Sequence, residues 1–198
     1  MRDLLESPQI YDCVQSTLAR RDCWNIFVER YLRPISGARL LDLGCGTGRI
    51  LQFLPPLEYW GLDDNPHYIE YAKKKRRSDA KFVCADLRDT WPVQGSFDLV
   101  MATGLLHHLP DAEVVEVLKR TRSLLSGQGR LVTFDGCFED SQPMIARWLL
   151  SHDRGKNVRF KEGFEVLARS VFNRVTLHVE RDLLRLPYTH LVMEMTVD

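Results

Sequence analysis

Residues 40–49, Leu-Leu-Asp-Leu-Gly-Cys-Gly-Thr-Gly-Arg, constrain this chain more than any other stretch. An apolar run, of the kind that forms a strand buried on both faces, enters three glycines at alternate positions. Glycine lets the backbone turn sharply and lets a ligand approach it, and a helix starting just beyond offers unpaired N–H groups. A strand, a glycine turn and a helix in that order predict an open α/β sheet, with the ligand outside the carboxyl ends of the strands. The spacing is G-x-G-x-G, with Arg49 where a dinucleotide fingerprint has its third glycine. Taken alone, the segment is a modest signal, and the alternative is a tight strand-to-helix turn.

The remaining chain alternates short β-type runs with helical stretches, as an α/β layered fold requires. Strands are expected near 39–43, 58–62, 81–84, 97–102 and 130–134, and two more near 174–180 and 189–196. Helices are expected near 49–54, 66–77, 111–125, 144–151 and 162–170, with one or two more between residues 7 and 32. The clearest is 111–125: Asp111 can cap it, Val114, Val115, Leu118, Leu124 and Leu125 give an apolar face, and Gly127 stops it. No repeat or flexible linker marks a second domain.

Two acids stand where strands end. The second strand runs into Gly61-Leu62-Asp63-Asp64-Asn65-Pro66, so Asp63 lies about twenty residues beyond the turn, where a carboxylate can accept from both ribose hydroxyls. The third ends at Cys84-Ala85-Asp86-Leu87, and Asp86 could accept from an exocyclic amino group. Together with the glycine turn they describe a site for a nucleoside with a zwitterionic tail. Each acid could instead cap a helix or a turn, which for Asp64 is the simpler reading.

Five segments in order, 41–48 (LDLGCGTG), 61–66 (GLDDNP), 84–87 (CADL), 97–111 (FDLVMATGLLHHLPD) and 124–132 (LLSGQGRLV), resemble the class I S-adenosylmethionine-dependent methyltransferases. The likeness covers about residues 35–135. It implies a Rossmann-like three-layer α/β sandwich whose seven-stranded, mostly parallel sheet has an antiparallel last strand. It implies S-adenosylmethionine as cofactor and S-adenosylhomocysteine as product. Gly44, Gly46 and Gly48 would line the methionine part, Asp63 would hold the ribose, and Asp86 with Leu87 would frame the adenine. Asp42 would orient the amino group, and Cys45, Asp64 and Thr103 complete the cofactor set. One domain over 1–198 is expected: a helical cap at 1–34, and a core over 35–198 with a substrate insert at about 136–170.

In that family the methyl group faces the segment after the fourth strand, here Thr103–Asp111. His107 is expected to reach the acceptor as base or orienting group, and His108 to pack near the cofactor; both could also be framework residues. The roof of the acceptor pocket would draw on Tyr11, Trp24, Phe27, Phe134 and Trp148, although most of these aromatics fit an ordinary core. Tyr11-Asp12 matches a pair that in the family often closes over the cofactor. The locally basic stretch 147–161, with Arg154 and Arg159, would clamp an acceptor carboxylate or phosphate, unless it is a solvated loop. Lys73–Arg77 reads simply as cations complementing a helix C-terminus.

Composition excludes several classes. Lys plus Arg and Asp plus Glu are 27 each, which opposes a dedicated nucleic-acid binder or a polybasic membrane anchor. No stretch is apolar enough to span a bilayer, and residues 1–8 have no secretory core. Five scattered cysteines without a C-x-x-C pair indicate neither disulfides nor a metal site, so a reduced, cytoplasmic protein is expected. The (D/N)-P-P-(Y/F) motif of nucleic-acid amino-methyltransferases is absent at Ala102–Leu105, as are the two-glutamate loop of arginine methyltransferases and a catechol-type metal ligand. A small-molecule acceptor methylated at oxygen or nitrogen remains, with oligomeric state open. The alternative is a cofactor-binding protein on the same fold with a cyclase-like or regulatory role.

Overall fold

The computed structural model describes residues 7–10, 12, 17, 22–153 and 155–197. In chain order, helix α1 (Cys23–Phe27) continues as a π-helical turn (Val28–Leu32) into β1 (Arg39–Leu43), a 3-10 turn (Arg49–Phe53), β2 (Glu58–Asp63), α2 (Pro66–Lys75) and β3 (Lys81–Cys84). Then come β4 (Phe97–Thr103), a 3-10 turn (Leu106–His108), α3 (Asp111–Leu124) and β5 (Leu125–Phe138). The chain closes with α4 (Met144–Ser151), β6 (Arg159–Phe160), α5 (Lys161–Arg169), β7 (Arg174–Glu180) and β8 (His190–Thr196).

The sheet runs β3-β2-β1-β4-β5-β8-β7. Strands β1 to β5 are parallel, and β8 is antiparallel to both of its neighbours, β5 and β7. This is the expected Rossmann-like sheet with its reversed last strand. The two-residue β6, paired with Cys137 and Phe138, is an addition. Alternation along each strand feeds two cores. Leu40, Tyr59, Met101 and Val132 pack under α1, the first 3-10 turn and α2. Leu41, Leu43, Val100 and Leu131 pack under α3 and α5. Burial on both faces is why β1 reads as an unbroken apolar run.

Helix ends show how local chemistry positions the loops. The Asn65 side chain accepts from the His67 and Tyr68 N–H groups at 2.9 and 3.4 Å, and Pro66 takes the first helical position of α2. In α3 the expectation needs correction. Pro110, not Asp111, precedes the first turn, and the Asp111 carboxylate turns away to Arg159 at 2.7 Å. The fully buried residues are Val114, Val117, Leu118 and Thr121, spaced as one helical face. Leu125 and Gly127 belong to β5, because the chain passes from helix to strand with no intervening loop. Among the described residues no helix is long and apolar enough to cross a membrane.

Candidate active site

The turn after β1 is built on left-handed backbone: φ is +69° at Gly44, +53° at Gly46 and +65° at Gly48. At Gly48 a Cβ would also lie 2.6 Å from the Phe82 ring, so both conformation and space demand glycine. Asp63, at the end of β2, fixes the turn from next door. Its carboxylate accepts from the Gly46 N–H at 2.8 Å and the Asn65 N–H at 2.9 Å. Burial raises its pKa, and those two N–H donors pull the other way.

A cleft of about 950 Å³ opens at the carboxyl ends of β1, β2, β3 and β4. The structure brings Gly44, Gly46, Asp63, Asp64, Asp86, Leu87, Thr103 and His108 to its walls. Asp64, simplest as a turn residue in sequence terms, therefore faces the cleft. The Asp86 carboxylate is gripped by Arg88 at 2.6 Å, and that hydrogen bond holds its pKa down at about 2. Asn65, Tyr68, Glu113 and Arg120 add to the lining without having been singled out from the sequence. Asn65 could have been, since Asn-Pro before a helix marks a cap.

Three expected cofactor residues lie off these walls. Gly48 packs against Phe82 and Arg76. The Cys45 side chain turns into the core beneath Gly61, and burial pushes its thiol pKa well up. Asp42 is buried under the turn, where one carboxyl oxygen accepts from the Tyr59 hydroxyl at 2.5 Å. Its Oδ1 has no partner among the described residues. Burial, with Asp63 nearby and Tyr59 opposing, raises its pKa to about 8. A buried acceptor without a partner beside a glycine cradle suits an ammonium donor. Asp63 keeps lone pairs for hydroxyls, and the Leu87 side supplies an apolar wall for a base. The residues fit S-adenosylmethionine.

The run Lys73–Arg77 is not uniformly a solvated helix end. Arg76 donates to the Thr47 carbonyl at 2.8 Å and to the Asp12 carboxylate at 2.8 Å. Asp12 also accepts from the Thr47 hydroxyl at 2.5 Å, and Arg49 donates to its carbonyl at 2.9 Å. Asp12 is thus fastened to the glycine turn at Thr47. Its neighbour Tyr11 lies outside the described residues, as does Arg154.

The two histidines have ring centres 4.3 Å apart but differ in burial. His108 lines the cleft. His107 is buried, with Nδ1 2.9 Å from Asp135 and Nε2 3.4 Å from Asp153. Burial lowers its pKa, but the bonds to both carboxylates outweigh burial and hold it at about 9. His107 is absent from the cleft lining and both of its ring nitrogens face carboxylates, an arrangement that suits the orienting role better than that of a base. The surrounding loop is stitched to the same segment. Asn157 donates to the His107 and His108 carbonyls at 2.9 and 3.0 Å, and Tyr188 donates to Asp153 at 2.7 Å. A Cβ on Gly155 would fall 1.9 Å from the His107 ring. Nothing in the sequence separates Asp135, Asp153 and Tyr188 from other polar residues, because their partners come from four distant segments.

The acceptor-side expectations fare differently. Phe27 and Phe134 are core residues with ring centres 5.3 Å apart, and Trp24 packs on both. Trp148 is 59% exposed on α4 and lines no part of the cleft. Arg159 is no clamp. Its guanidinium is used up on Asp111 and on the carbonyls of Leu106, Leu109 and Asn157, at 2.6–3.1 Å.

Comparison with known proteins agrees with this geometry. Residues 40–129 match the methyltransferase domain family. The chain is 30% identical over 146 residues to a demethylmenaquinone methyltransferase of Lactococcus lactis, covering 68% of this chain and 56% of that one. It is 32% identical over 140 residues to the aklanonic acid methyltransferase DauC of a Streptomyces species, covering 60% and 61%. The chain thus spans a little over half the length of these curated relatives. A TehB-like SAM-dependent methyltransferase from Corynebacterium glutamicum superposes with a TM-score of 0.67 at 22% identity, covering 95% of this chain and 94% of that one. Residues 40–129 are thus similar to the methyltransferase domain family, and the glycine turn, strand-end acids and sheet order fit the Rossmann-like fold shared with that solved structure.

Proposed function

We propose that the protein transfers a methyl group from S-adenosylmethionine to an oxygen or nitrogen atom of a small molecule. One observation carries the reading: Gly44 and Gly46, the acids Asp63 and Asp86, and Thr103 come from four strand ends and meet in a single cleft. The relatives support the acceptor class, since the names of two of them specify demethylmenaquinone and aklanonic acid. S-adenosylmethionine supplies an electrophilic methyl on sulfur, which an acceptor lone pair takes by in-line displacement.

The chain's own residues bind, orient and exclude water. Asp42 orients the amino group of the cofactor, Asp63 its ribose, and Asp86 with Leu87 frames its base. Arg76 and Thr47 hold Asp12 against the turn. His107 acts as a positioning residue: its charge holds Asp153, and with it the 153–157 loop, against the segment after β4. With Arg159 engaged elsewhere, a neutral acceptor is the reading to test first.

The test uses methyl-labelled cofactor and fractionated metabolite extracts. Label recovered in a small molecule, with S-adenosylhomocysteine formed in equal amount, is the expected result. Cofactor binding by calorimetry without transfer to any fraction would favour a non-methylating role. No binding at all would sink both.

A further inference from the structure

The outward face of α4 is not absorbed by the cleft or by the loop behind it. Ala146 and Leu150 are buried, whereas Met144, Ile145 and Trp148 are 88, 63 and 59% exposed. Beside them Phe138 and Phe160 pack at 5.6 Å, and the Arg147 guanidinium lies 5.8 and 5.5 Å from their centres. Three large apolar side chains on two turns of one helix exceed the usual scatter of single exposed hydrophobes. They stand out from the helix as a ridge and line neither described cavity.

The charges around the ridge are one-sided. Residues 143–152 contain no Asp or Glu. Asp153 is turned inward to His107 and Tyr188. Glu139 is paired with Arg181 and Glu162 with Lys161. Within residues 140–160 that leaves exposed Asp140 against exposed Arg147 and Lys156, and Arg154 adds a further cation in the sequence. A second copy of the chain meeting this face about a two-fold axis would set Arg147 against Arg147, with no carboxylate on the helix to answer either. An anionic lipid surface answers both halves of the pattern: headgroups take the cations, and Trp148, Met144 and Ile145 sink to the acyl boundary.

We propose that the outward face of α4 docks the protein on an anionic lipid bilayer, which it lies against without spanning. The inference is independent of methyl transfer, and so is its test. The full chain is floated with phosphatidylcholine vesicles with or without phosphatidylglycerol, at low and high salt. Co-flotation is expected only with the anionic vesicles and is expected to fall as salt screens the cations. Trp148 emission should shift to the blue on binding, a shift lost in Trp148→Phe.

Replacing Met144 and Ile145 by Ser, or Arg147→Glu, should weaken partitioning by about tenfold. Melting temperatures should stay unchanged, because these side chains face outward. Absence of co-flotation at low salt, or flotation insensitive to these substitutions, overturns the proposal. So does a concentration-dependent dimer that Ile145→Glu abolishes in a protein that does not bind vesicles.

Discussion

Replacing His107 by Gln tests whether a buried imidazolium holds the post-β4 segment and the 153–157 loop together. A folded-state pKa of about 9 against an ordinary 6.5 corresponds to about 3 kcal/mol of stability. Because the pKa is raised, that contribution is complete below pH 6.5 and drains away as pH climbs through 9. Asp153, held below the usual carboxylate range by the same pair, sets the acid limit, so titration should begin well above its protonation. Urea midpoints of the two proteins at stepped pH give the difference directly, with background titrations common to both. His107→Gln should be less stable by about 3 kcal/mol near pH 6, and the gap should nearly close by about pH 10. Stability curves that stay parallel over that range would refute a charged His107.

The other expectations concern the cofactor cradle and its supports. Gly48→Ala forces a left-handed alanine against Phe82, so about 1–2 kcal/mol of backbone strain plus the clash should lower the melting temperature and weaken cofactor binding. Asp63→Asn removes the charge that organises Gly46 and is proposed to hold the ribose; calorimetry should show binding about tenfold weaker or worse, and an unchanged affinity would break the assignment. Asp42, with a pKa of about 8, is largely protonated at pH 7, so pairing with the cofactor ammonium should release a proton. Binding heats that do not vary with the ionisation enthalpy of the buffer would exclude that pairing. Arg159→Ala removes a nearly buried set of bonds to the post-β4 segment and should cost about 2–3 kcal/mol with cofactor affinity intact; a raised KM with unchanged stability would restore it as a substrate clamp.

What was legible in the chain was what depends on local order. Strands β1 and β3 carry their apolar runs between turn residues, and α2 starts on Asn65-Pro66, so their limits could be read directly. Strand-end acids and glycines could be placed because parallel strands deliver their carboxyl ends to one edge. Side-chain direction was harder to read. Gly48 and Cys45 sit within the same motif as Gly44 and Gly46 yet point into the protein, and only the turn's left-handed backbone decides which residues face out. Adjacent His107 and His108 have ring centres 4.3 Å apart yet differ in burial, because Asp135 and Asp153 hold His107 inward. Arg159 looked like a free cation because its partner Asp111 lies 48 positions away, and Arg76 looked bland because Asp12 lies 64 away. Charge pairing across such distances leaves no trace in spacing.

The placement of β8 between β5 and β7 bears on how the protein is made. Translation delivers β1 to β5 first, and until residues 190–196 follow, β5 is an open edge and β7 has no neighbour in the sheet. Part of the second core, Leu191, Met193 and Met195 against Leu131 and Val175, waits on the same seven residues. A ribosome-bound intermediate therefore carries an apolar, unpaired strand edge for as long as the last segment takes to emerge. The cleft end of the sheet is translated before β8 but becomes rigid only after it, so nascent chains halted before residue 190 should depend on chaperones and precipitate once released.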